Sequence, residues 1–324
     1  MARIVELNTY PVKGCAGTAL TEALMTPAGL AHDRTFMVVD AEGDFRSQRR
    51  DRRMAVIRPE VDPDGSGLTL RAPDTEELRI PVDTEGPRRD VRLFGNPFHG
   101  IDQGDAAAEW FSAVLGAPCR LVRVPPEHDR VAGGLTPGTS GYADSNAVLV
   151  ASRASLDELN RRIAETGGEP LPMNRFRANI VLDGWDVPHQ EDLVRTLSLG
   201  GAHLGFAKLA VRCVVTTVDQ ESGRKTGPEP LRALAGYRRV EQGVAFGAKF
   251  SVLRTGTLAV GDEAVVGAWA EADPESAAPS RDGGGPAAPT ASGGRPVSAT
   301  RPASEARPVS AEPAVSRTGA AAEE

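Results

Sequence analysis

The large apolar side chains of the chain end at Trp269, and this limits where a folded core can form. After that residue the sequence holds no Leu, Ile, Met, Phe, Tyr or Trp, while Ala, Pro, Ser, Gly, Glu and Arg dominate. Such a segment buries too little apolar surface to offset the entropy lost on ordering. The sequence therefore predicts a folded region within residues 1–270 and a disordered, low-complexity tail over residues 271–324.

Residues 1–95 are predicted to form a small antiparallel β-barrel or sandwich. Short runs with strand-like apolar patterns follow one another, separated by turn-forming segments such as AEGD and DPDGSG. The runs are RIVELNTYPV, RTFMVVD, MAVIRPEV, GLTLRAP, ELRIPV and DVRLF. Many short strands at even spacing are typical of closed or sandwiched antiparallel sheets.

Residues 96–270 are predicted to form a second, mixed α and β unit, so that the whole fold is strand-rich. One helix is expected in GDAAAEWFSAVLG, ending at Gly116. A second is expected in SLDELNRRIAETG, where Ser155 and Glu158 have capping-box spacing and Gly167 follows the last turn. Strands are expected in FRANIVLDG, LAVRCVVTTV and FSVLRTGTLAVGDEAVVG. No Gly-rich loop joins a strand to a helix as in a Rossmann or P-loop site.

Charge and cysteine content narrow the possible functions. The formal net charge of -7 argues against a general nucleic-acid binder. The sequence contains no run of about 20 apolar residues that could span a membrane, and its N-terminus lacks the apolar core of a signal peptide. A cytoplasmic protein is therefore expected. Three widely spaced cysteines suggest reduced thiols, and they exclude a CxxC zinc site or a four-cysteine iron–sulfur cluster. The five histidines show no metal-ligand spacing.

The segment LAVRCVVTTVDQESGR places a cation, Arg212, beside a thiol, Cys213, inside an apolar run. One interpretation is a small core cysteine beside an arginine on the opposite face, because neighbouring strand residues alternate. The other is a thiolate ligand for a metal, kept deprotonated by the adjacent cation and the metal. The segment alone leaves both open.

Cations and one acid stand near other turns and strand ends. Individually they fit solvated or ion-paired side chains, and Asp144 and Ser145 in YADSNAVLVAS fit an ordinary turn into a strand. Together the cations would suit an anionic, phosphate-bearing ligand, because arginine offers paired donors and Gly-containing turns add backbone amides. The cations are Lys13, Arg34, Arg175, Arg177 and Arg212.

The order of these segments is more specific than any one of them. The series YPVKGCAG, HDRTFMVVD, YADSNAVLVASRASLDELN, NRFRANIVLDG, RCVVTTVDQESG, FG and GTLAVGDEAVV closely resembles MOSC proteins that carry a MOSC N-terminal β-barrel. That group includes the mitochondrial amidoxime-reducing component and its bacterial relatives. The resemblance covers about residues 2–268. It implies a MOSC N-terminal β-barrel domain over residues 1–95 and a β-barrel-like MOSC domain with helices over residues 96–270.

The resemblance also implies a molybdenum cofactor, in which the pterin dithiolene and one protein cysteine bind molybdenum. By motif position that cysteine is Cys213, whereas Cys15 and Cys119 are not ligands. Asp144 is expected near the metal, where it would relay a proton or accept a structural hydrogen bond. The residues expected around the pterin and its phosphate are Lys13, Gly14, Arg34, Ser145, Arg177, Asn179 and Arg212.

The activity implied by the resemblance is reduction of N-hydroxylated compounds to the amine or amidine and water. The C-terminal segment has no cysteine for an iron–sulfur domain, so electrons are expected from a separate ferredoxin-, flavodoxin- or cytochrome-type donor. Two alternatives remain open. One is a carrier of sulfur or of the molybdenum cofactor that uses a persulfide on Cys213, and the other is a non-catalytic pterin-binding module.

Truncation after Ala270 tests the predicted tail. Because the 54 residues removed contain no large apolar side chain, we expect the melting temperature and the molybdenum content to stay unchanged. The removed segment carries five Arg and eight Asp or Glu, too weak and mixed a charge to steer a partner through screened solvent. Turnover with an artificial electron donor should therefore also be unchanged. A clear fall in melting temperature would show that the tail packs on the core.

Overall fold

The computed structural model of the chain describes residues 1–271. The tail predicted over residues 271–324 lies, apart from Glu271, outside the described residues. Within residues 1–271 no helix is both long enough and apolar enough to cross a membrane. The described region is rich in strands and has three α-helices, so the predicted strand-rich, mixed α and β class is confirmed.

The secondary structure consists of short strands with few helices. The strands are β1 (Arg3–Thr9), β2 (Thr18–Leu20), β3 (Glu22–Thr26), β4 (Gly29–Leu30), β5 (Phe36–Asp40), β6 (Arg58–Val61), β7 (Gly67–Ala72), β8 (Thr75–Pro81), β9 (Arg88–Leu93), β10 (Asn96–Asp102), β11 (Cys119–Arg123), β12 (Val131–Ala132), β13 (Gly138–Thr139), β14 (Val148–Ser152), β15 (Ile180–Asp183), β16 (Val194–Leu199), β17 (Ala202–Arg212), β18 (Arg239–Val240), β19 (Gly243–Arg254), β20 (Gly256–Ala259) and β21 (Ala264–Trp269). The helices are α1 (Asp105–Leu115), α2 (Arg153–Glu165) and α3 (Leu231–Tyr237). Short 3₁₀ turns span Arg52–Val56, Met173–Phe176, Gln190–Asp192 and Val214–Thr217.

The largest sheet joins the first strand of the chain to its second half. Its strands run in the order β2-β1-β15-β14-β19-β17-β16-β21, and β18 also pairs with β19. The strands β14 and β15 are parallel, whereas β17 and β19 form a long antiparallel pair. Every residue of β14 is buried, as expected of a central strand with an apolar run. This sheet carries most of the segments that line the cavity described below.

Two apolar clusters cover the faces of this sheet. On one face Leu159 and Ile163 of α2 and Leu234 of α3 pack with Phe246 of β19. The other cluster contains β-strand side chains such as Phe250, together with residues of β3, β4 and β20. The cavity strands are therefore held from both sides, which fixes the side chains at their ends.

Residues of the N-terminal part form a separate apolar cluster around α1. The strands run in the order β5-β11-β10-β9 in one sheet and β6-β7-β8 in another. Phe111 of α1 packs with Phe36, Leu68 and Leu121, and Trp110 donates its indole N–H to a backbone oxygen at 2.7 Å. The division predicted at residue 95 stays a prediction. The strands β10 and β11 follow that residue and share a sheet with β5 and β9, and α1 packs in the same apolar cluster.

Two local predictions need correction. The run MAVIRPEV was expected to be one strand, but its first part forms a 3₁₀ turn and β6 begins only at Arg58. The physical reason is that the backbone N–H groups of Met54 and Ile57 donate to carbonyls three residues earlier, those of Asp51 and Met54, so this part closes a turn instead of pairing in a sheet. The helix expected to start at Ser155 begins at Arg153, because Ser152 caps it by accepting from the Ser155 backbone N–H. By contrast, α1 ends before a left-handed Gly116, as predicted.

The buried cap of α2 supports a prediction about stability. The Ser152 hydroxyl also donates to the buried Glu191 carboxylate at 2.9 Å, so Ser152→Ala removes the cap and one partner of that acid. We expect a loss of about 1–3 kcal/mol in the free energy of unfolding, measured by urea denaturation. The exposed Thr255→Ala serves as the control and should change it by less than about 0.5 kcal/mol. Equal stability of Ser152→Ala and wild type would contradict this account.

Candidate functional site

A cavity of about 490 Å³ collects charged side chains from many separate segments of the chain. Seven lysine and arginine side chains line it, against only two carboxylates, in a protein whose formal net charge is -7. The cations are Lys13, Arg34, Arg49, Arg177, Lys208, Arg212 and Lys249, and the acids are Asp144 and Glu241. A concave surface with this excess of positive charge is suited to an anionic ligand.

A lysine–aspartate pair lies on one wall of the cavity. Lys13 is buried in the turn after β1, where its backbone N–H donates to the carbonyl of Phe36 at 2.8 Å. Its ammonium pairs with Asp144 and lies 5.2 Å and 5.0 Å from the ring centroids of Phe45 and Phe94. Asp144 itself keeps 62% of its side-chain surface accessible from the cavity. The pair thus presents a carboxylate to the cavity and holds a desolvated cation behind it.

The proton affinity of Asp144 follows from this pairing. Partial enclosure would raise its pKa, but the ammonium of Lys13 outweighs that effect and holds the pKa well below its usual range. Asp144 is therefore ionised at neutral pH. In this state it accepts hydrogen bonds and protons and has no proton of its own to donate.

Two arginines are fixed around one aromatic ring. The guanidinium carbons of Arg34 and Arg177 each lie 4.3 Å from the centroid of the Tyr10 ring. Arg34 donates to Asp33 at 2.6 Å, to the Asn179 side-chain oxygen at 3.0 Å and to the Arg177 carbonyl at 3.2 Å. These contacts leave the two guanidinium groups few alternative positions, which makes the positive wall of the cavity rigid.

Some donors on the cavity arginines have no partner within residues 1–271. Nη2 of Arg177 and Nε of Arg212 are buried and unpaired. Arg177 has one long contact, 3.4 Å to the Gln220 side chain, and Arg212 donates once, to the Phe176 carbonyl at 2.7 Å. Buried donors without acceptors are costly and uncommon in folded proteins. Both arginines line the cavity, so the missing acceptors point to an anionic ligand there.

The segment around Cys213 differs from the strand predicted over LAVRCVVTTV. The strand β17 ends at Arg212, and a 3₁₀ turn follows Cys213. Thr216 closes that turn, because its backbone N–H and its hydroxyl both donate to the Cys213 carbonyl, at 3.1 Å and 2.9 Å. The strand ends at this point, and Arg212 and Cys213 both line the cavity.

Cys213 is the accessible thiol among the three cysteines, which are all unpaired. Burial raises the pKa of Cys15 to about 12 and also raises the pKa of Cys119, so both remain unreactive thiols. No cluster of three or more His, Cys, Asp or Glu side chains suited to a metal occurs in residues 1–271. A metal at this site would therefore need ligands from its own cofactor in addition to Cys213.

The structure brings together most of the residues that the sequence singled out. Asn179 does not line the cavity; its side chain accepts from Arg34 and from the Leu149 backbone N–H, and donates to the Asn8 carbonyl. Arg175 is turned toward Asp219, with which it pairs at 3.0 Å. The predicted site residues that do line the cavity are Lys13, Gly14, Arg34, Asp144, Ser145, Arg177, Arg212 and Cys213.

Sequence reasoning missed two cavity lysines and an amide pair. The Gln48 side chain donates to the Gly14 carbonyl at 2.7 Å and to Gln220 at 3.1 Å, and nothing in the sequence points to that contact. Lys208 and Lys249 could have been recognised as unusual from the sequence. The whole chain contains only four lysines, and these two stand inside apolar strand segments, GFAKLA and FGAKFS.

Comparison with known families identifies two regions. Residues 1–118 match the MOSC N-terminal beta barrel domain, and residues 137–265 match the MOSC domain. The N-terminal match agrees with the β-barrel predicted for that part of the sequence.

Several curated proteins are similar to most of this chain. Mitochondrial amidoxime-reducing component 1 of Homo sapiens is 32% identical over 280 residues, which cover 80% of this chain and 81% of that protein. Mitochondrial amidoxime reducing component 2 of Rattus norvegicus is 32% identical, with 78% of this chain and 80% of that protein covered. Molybdenum cofactor sulfurase of Danio rerio is 31% identical over 72% of this chain but only 30% of that protein.

The anionic character of the ligand can be tested directly. In protein purified free of small molecules, we expect inorganic pyrophosphate to bind in the cavity, with an affinity that falls as salt rises. Arg177→Gln should weaken binding by about 10-fold or more in isothermal titration calorimetry, because a charge-assisted hydrogen bond contributes about 1.5–3 kcal/mol.

Arg224→Gln is the matched control, since Arg224 is exposed and does not line the cavity. It should bind pyrophosphate like the wild type. Equal affinities for all three proteins would show that the cavity does not select anions through Arg177.

Proposed function

Because the chain belongs to the family of MOSC-domain proteins that carry a MOSC N-terminal β-barrel domain, we propose that it is a molybdenum-cofactor-dependent oxidoreductase. Its substrates would be N-hydroxylated compounds, reduced to the amine or amidine. The overall change consumes two electrons and two protons, breaks the N–O bond and releases water. The single observation that best supports this proposal is an accessible thiol, Cys213, at a cavity whose buried arginine donors lack acceptors.

The residues of the cavity fit such a cofactor by their chemistry. Cys213 would bind molybdenum, because a thiolate is a soft ligand that suits a metal already held by sulfur. The positive wall would hold the pterin and its phosphate through the Gly14 backbone and through side chains whose donors face the cavity. Those side chains are Lys13, Arg34, Ser145, Arg177 and Arg212. Asn179 would act behind them by fixing the position of Arg34.

When bound, the cofactor supplies the two-electron redox chemistry of N–O bond reduction. The chain itself supplies position and charge. Burial lowers the pKa of Arg212 to about 10, which still leaves it positive at neutral pH beside Cys213. A cysteine binds metal as the thiolate.

We propose that Asp144 transfers protons at the same wall of the cavity. Its ionised carboxylate is accessible from the cavity and touches the ammonium of Lys13. It can therefore accept a proton and pass it on, with Lys13 stabilising the ionised state between transfers. This assignment keeps Asp144 among the catalytic candidates together with Cys213.

Electrons are proposed to come from a separate protein of the ferredoxin, flavodoxin or cytochrome type. No cluster of metal-binding side chains within the described residues would store electrons beside the cavity. A cytoplasmic location is part of the proposal and rests on three unpaired cysteines, which suit a reducing compartment.

A second candidate function is transfer of sulfur or of the cofactor itself. The likeness to molybdenum cofactor sulfurase of Danio rerio supports it, as does the accessibility of Cys213, which would bear a persulfide. The two candidates differ in a measurable way. A reductase turns over an N-hydroxylated compound with a continuous electron supply, whereas a sulfur carrier releases at most one sulfur per chain and need contain no molybdenum.

Substitution of Cys213 tests the proposed ligand. In protein purified from a host that makes molybdenum cofactor, we expect close to one molybdenum per chain and reduction of benzamidoxime with an artificial electron donor. Cys213→Ser should lose the metal or lower turnover by at least about 100-fold, since a hydroxyl is a poor ligand for a soft metal. Metal analysis and turnover are the two measurements.

Cys119→Ser is the control for this experiment, because Cys119 is buried away from the cavity. It should keep both molybdenum and activity. Full molybdenum and full turnover in Cys213→Ser would overturn the ligand assignment, and molybdenum-free wild-type protein would favour the sulfur carrier.

A further inference from the structure

Lysine is rare in this chain, and its distribution is uneven. The sequence has 37 Lys and Arg residues, of which only four are Lys. Three of those four, Lys13, Lys208 and Lys249, line the same cavity. Lys13 pairs with Asp144, whereas the proposed function gives no role to Lys208 or Lys249.

Lys208 and Lys249 face each other across two strands. They are direct partners in the antiparallel register of β17 and β19, so their side chains leave the sheet on the same face. Both line the cavity, Lys208 exposed and Lys249 half-buried. Two cations directly opposite each other repel, which destabilises a sheet unless an anion lies between or above them. Their placement is therefore a cost to the fold without a ligand.

Neither lysine is neutralised by the protein. The ion pairs formed within residues 1–271 include Lys13 but neither Lys208 nor Lys249. Arg49, Arg177 and Arg212 also lack a carboxylate partner within these residues, but Arg177 and Arg212 have protein acceptors. Arg34 is held by Asp33 and Asn179, and Arg212 donates to the Phe176 carbonyl, whereas the lysine ammonium groups keep their donors for a ligand.

Lys249 lies within electrostatic range of the rest of the site. The charged groups that act on it are Arg34, Asp144, Arg212 and Lys13. Lys208 is its partner on the neighbouring strand. Lys208 lies on the strand that leads into Cys213, five residues earlier, or about 16 Å along an extended chain. A small molecule in the cavity can therefore reach the lysines while its reacting end lies near the thiol segment.

We propose that Lys208 and Lys249 form a subsite for an oxyanion on the substrate, a carboxylate or phosphate group, so that anionic N-hydroxylated compounds are selected over neutral ones. The inference rests on the proposed function for the identity of the reacting group, but the subsite follows from the two unpaired lysines. Lysine suits this task because its ammonium is a compact charge on a flexible stem that can follow different anions. Arginine predominates where the ligand is held in one fixed orientation.

The charge of the subsite depends on pH. Burial, together with the nearby Arg34, lowers the pKa of Lys249 to about 7, so its ammonium is present below that pH and is lost as the pH rises through it. An anionic group bound there would hold the proton on Lys249 and raise its pKa. Selection for anionic compounds should therefore be stronger at pH 6 than at pH 8.

The experiment compares matched substrates on the molybdenum-loaded protein. Benzamidoxime with a para-carboxylate is compared with the para-carboxamide, which has nearly the same shape but no charge, and a para-phosphonate separates the two kinds of oxyanion. We expect the wild type to show a kcat/KM about 10-fold or more higher for the better of the two anionic compounds than for the carboxamide. The excess should shrink at high salt.

Three variants test whether Lys208 and Lys249 cause the preference for anionic substrates. Lys208→Gln and Lys249→Gln should each lower kcat/KM for the preferred anion by at least about threefold, mainly through KM, with the carboxamide unaffected. Lys249→Arg should keep the preference and lose its pH dependence. Lys225→Gln, at the one lysine outside the cavity, is the matched control and should behave as wild type.

Molybdenum content and product binding are measured on the same proteins. Binding of the para-carboxylate and para-carboxamide amidine products is followed by calorimetry, so the subsite is tested independently of turnover. If neither amidoxime is reduced, that result refutes the proposed function and leaves the test of the subsite intact. Equal binding of the para-carboxylate and para-carboxamide products by the wild type would overturn the subsite. Loss of molybdenum in parallel with loss of anion preference would overturn it as well, because the lysines would then belong to the cofactor.

Discussion

Mutual repulsion among the cavity cations is the constraint to which the rest of the site responds. Burial lowers the pKa of Arg177 and of Arg212. The charge of Arg34 lowers both pKa values further, and the charge of Arg177 also lowers the pKa of Arg212. The fold offsets this with a buried aspartate at Asp33 and with the π-face of Tyr10, which lies 4.3 Å from two guanidinium carbons. Without a ligand the balance stays positive, so an anion that enters the cavity relieves repulsion that the protein alone leaves in place.

The backbone reinforces this arrangement at the two arginines that share Tyr10. Arg34 and Arg177 have φ values of 48° and 55°, a left-handed conformation that costs a non-glycine residue about 1–2 kcal/mol. Each is held there by a backbone hydrogen bond, from Arg34 to the Tyr10 carbonyl and from Arg177 to the Asn174 carbonyl. Strained backbone at both positions fits cations placed for a ligand.

Residue types and their order within short segments predict part of the site and the fold class. Contacts between residues far apart in the chain could not be predicted from the sequence. Lys13, Asp144 and Cys213 each also fit an ordinary solvated, turn or core side chain, and only the order of their segments, through the family resemblance, singles them out. The fold class follows from short apolar runs, and Gly116 marks a helix end because few other residues take that conformation. Asn179 shows the limit: its amide holds Arg34 from across 145 residues, and no local pattern distinguishes that role from ligand contact.

The end of β17 shows why register cannot replace geometry. Read as a continuous strand, the segment sends Arg212 and Cys213 to opposite faces, and only one of them would meet the ligand. In the structure the strand ends at Arg212, a 3₁₀ turn closed by Thr216 follows Cys213, and both residues line one cavity. Earlier in the same strand, between two irregularities of the register, Lys208 pairs directly with Lys249. The strand thus leads to an arginine with a protein acceptor and a thiol at its end, and it carries a lysine within its length. Groups held in place by the protein suit a resident cofactor, whereas an ammonium on a flexible stem suits an exchanging substrate.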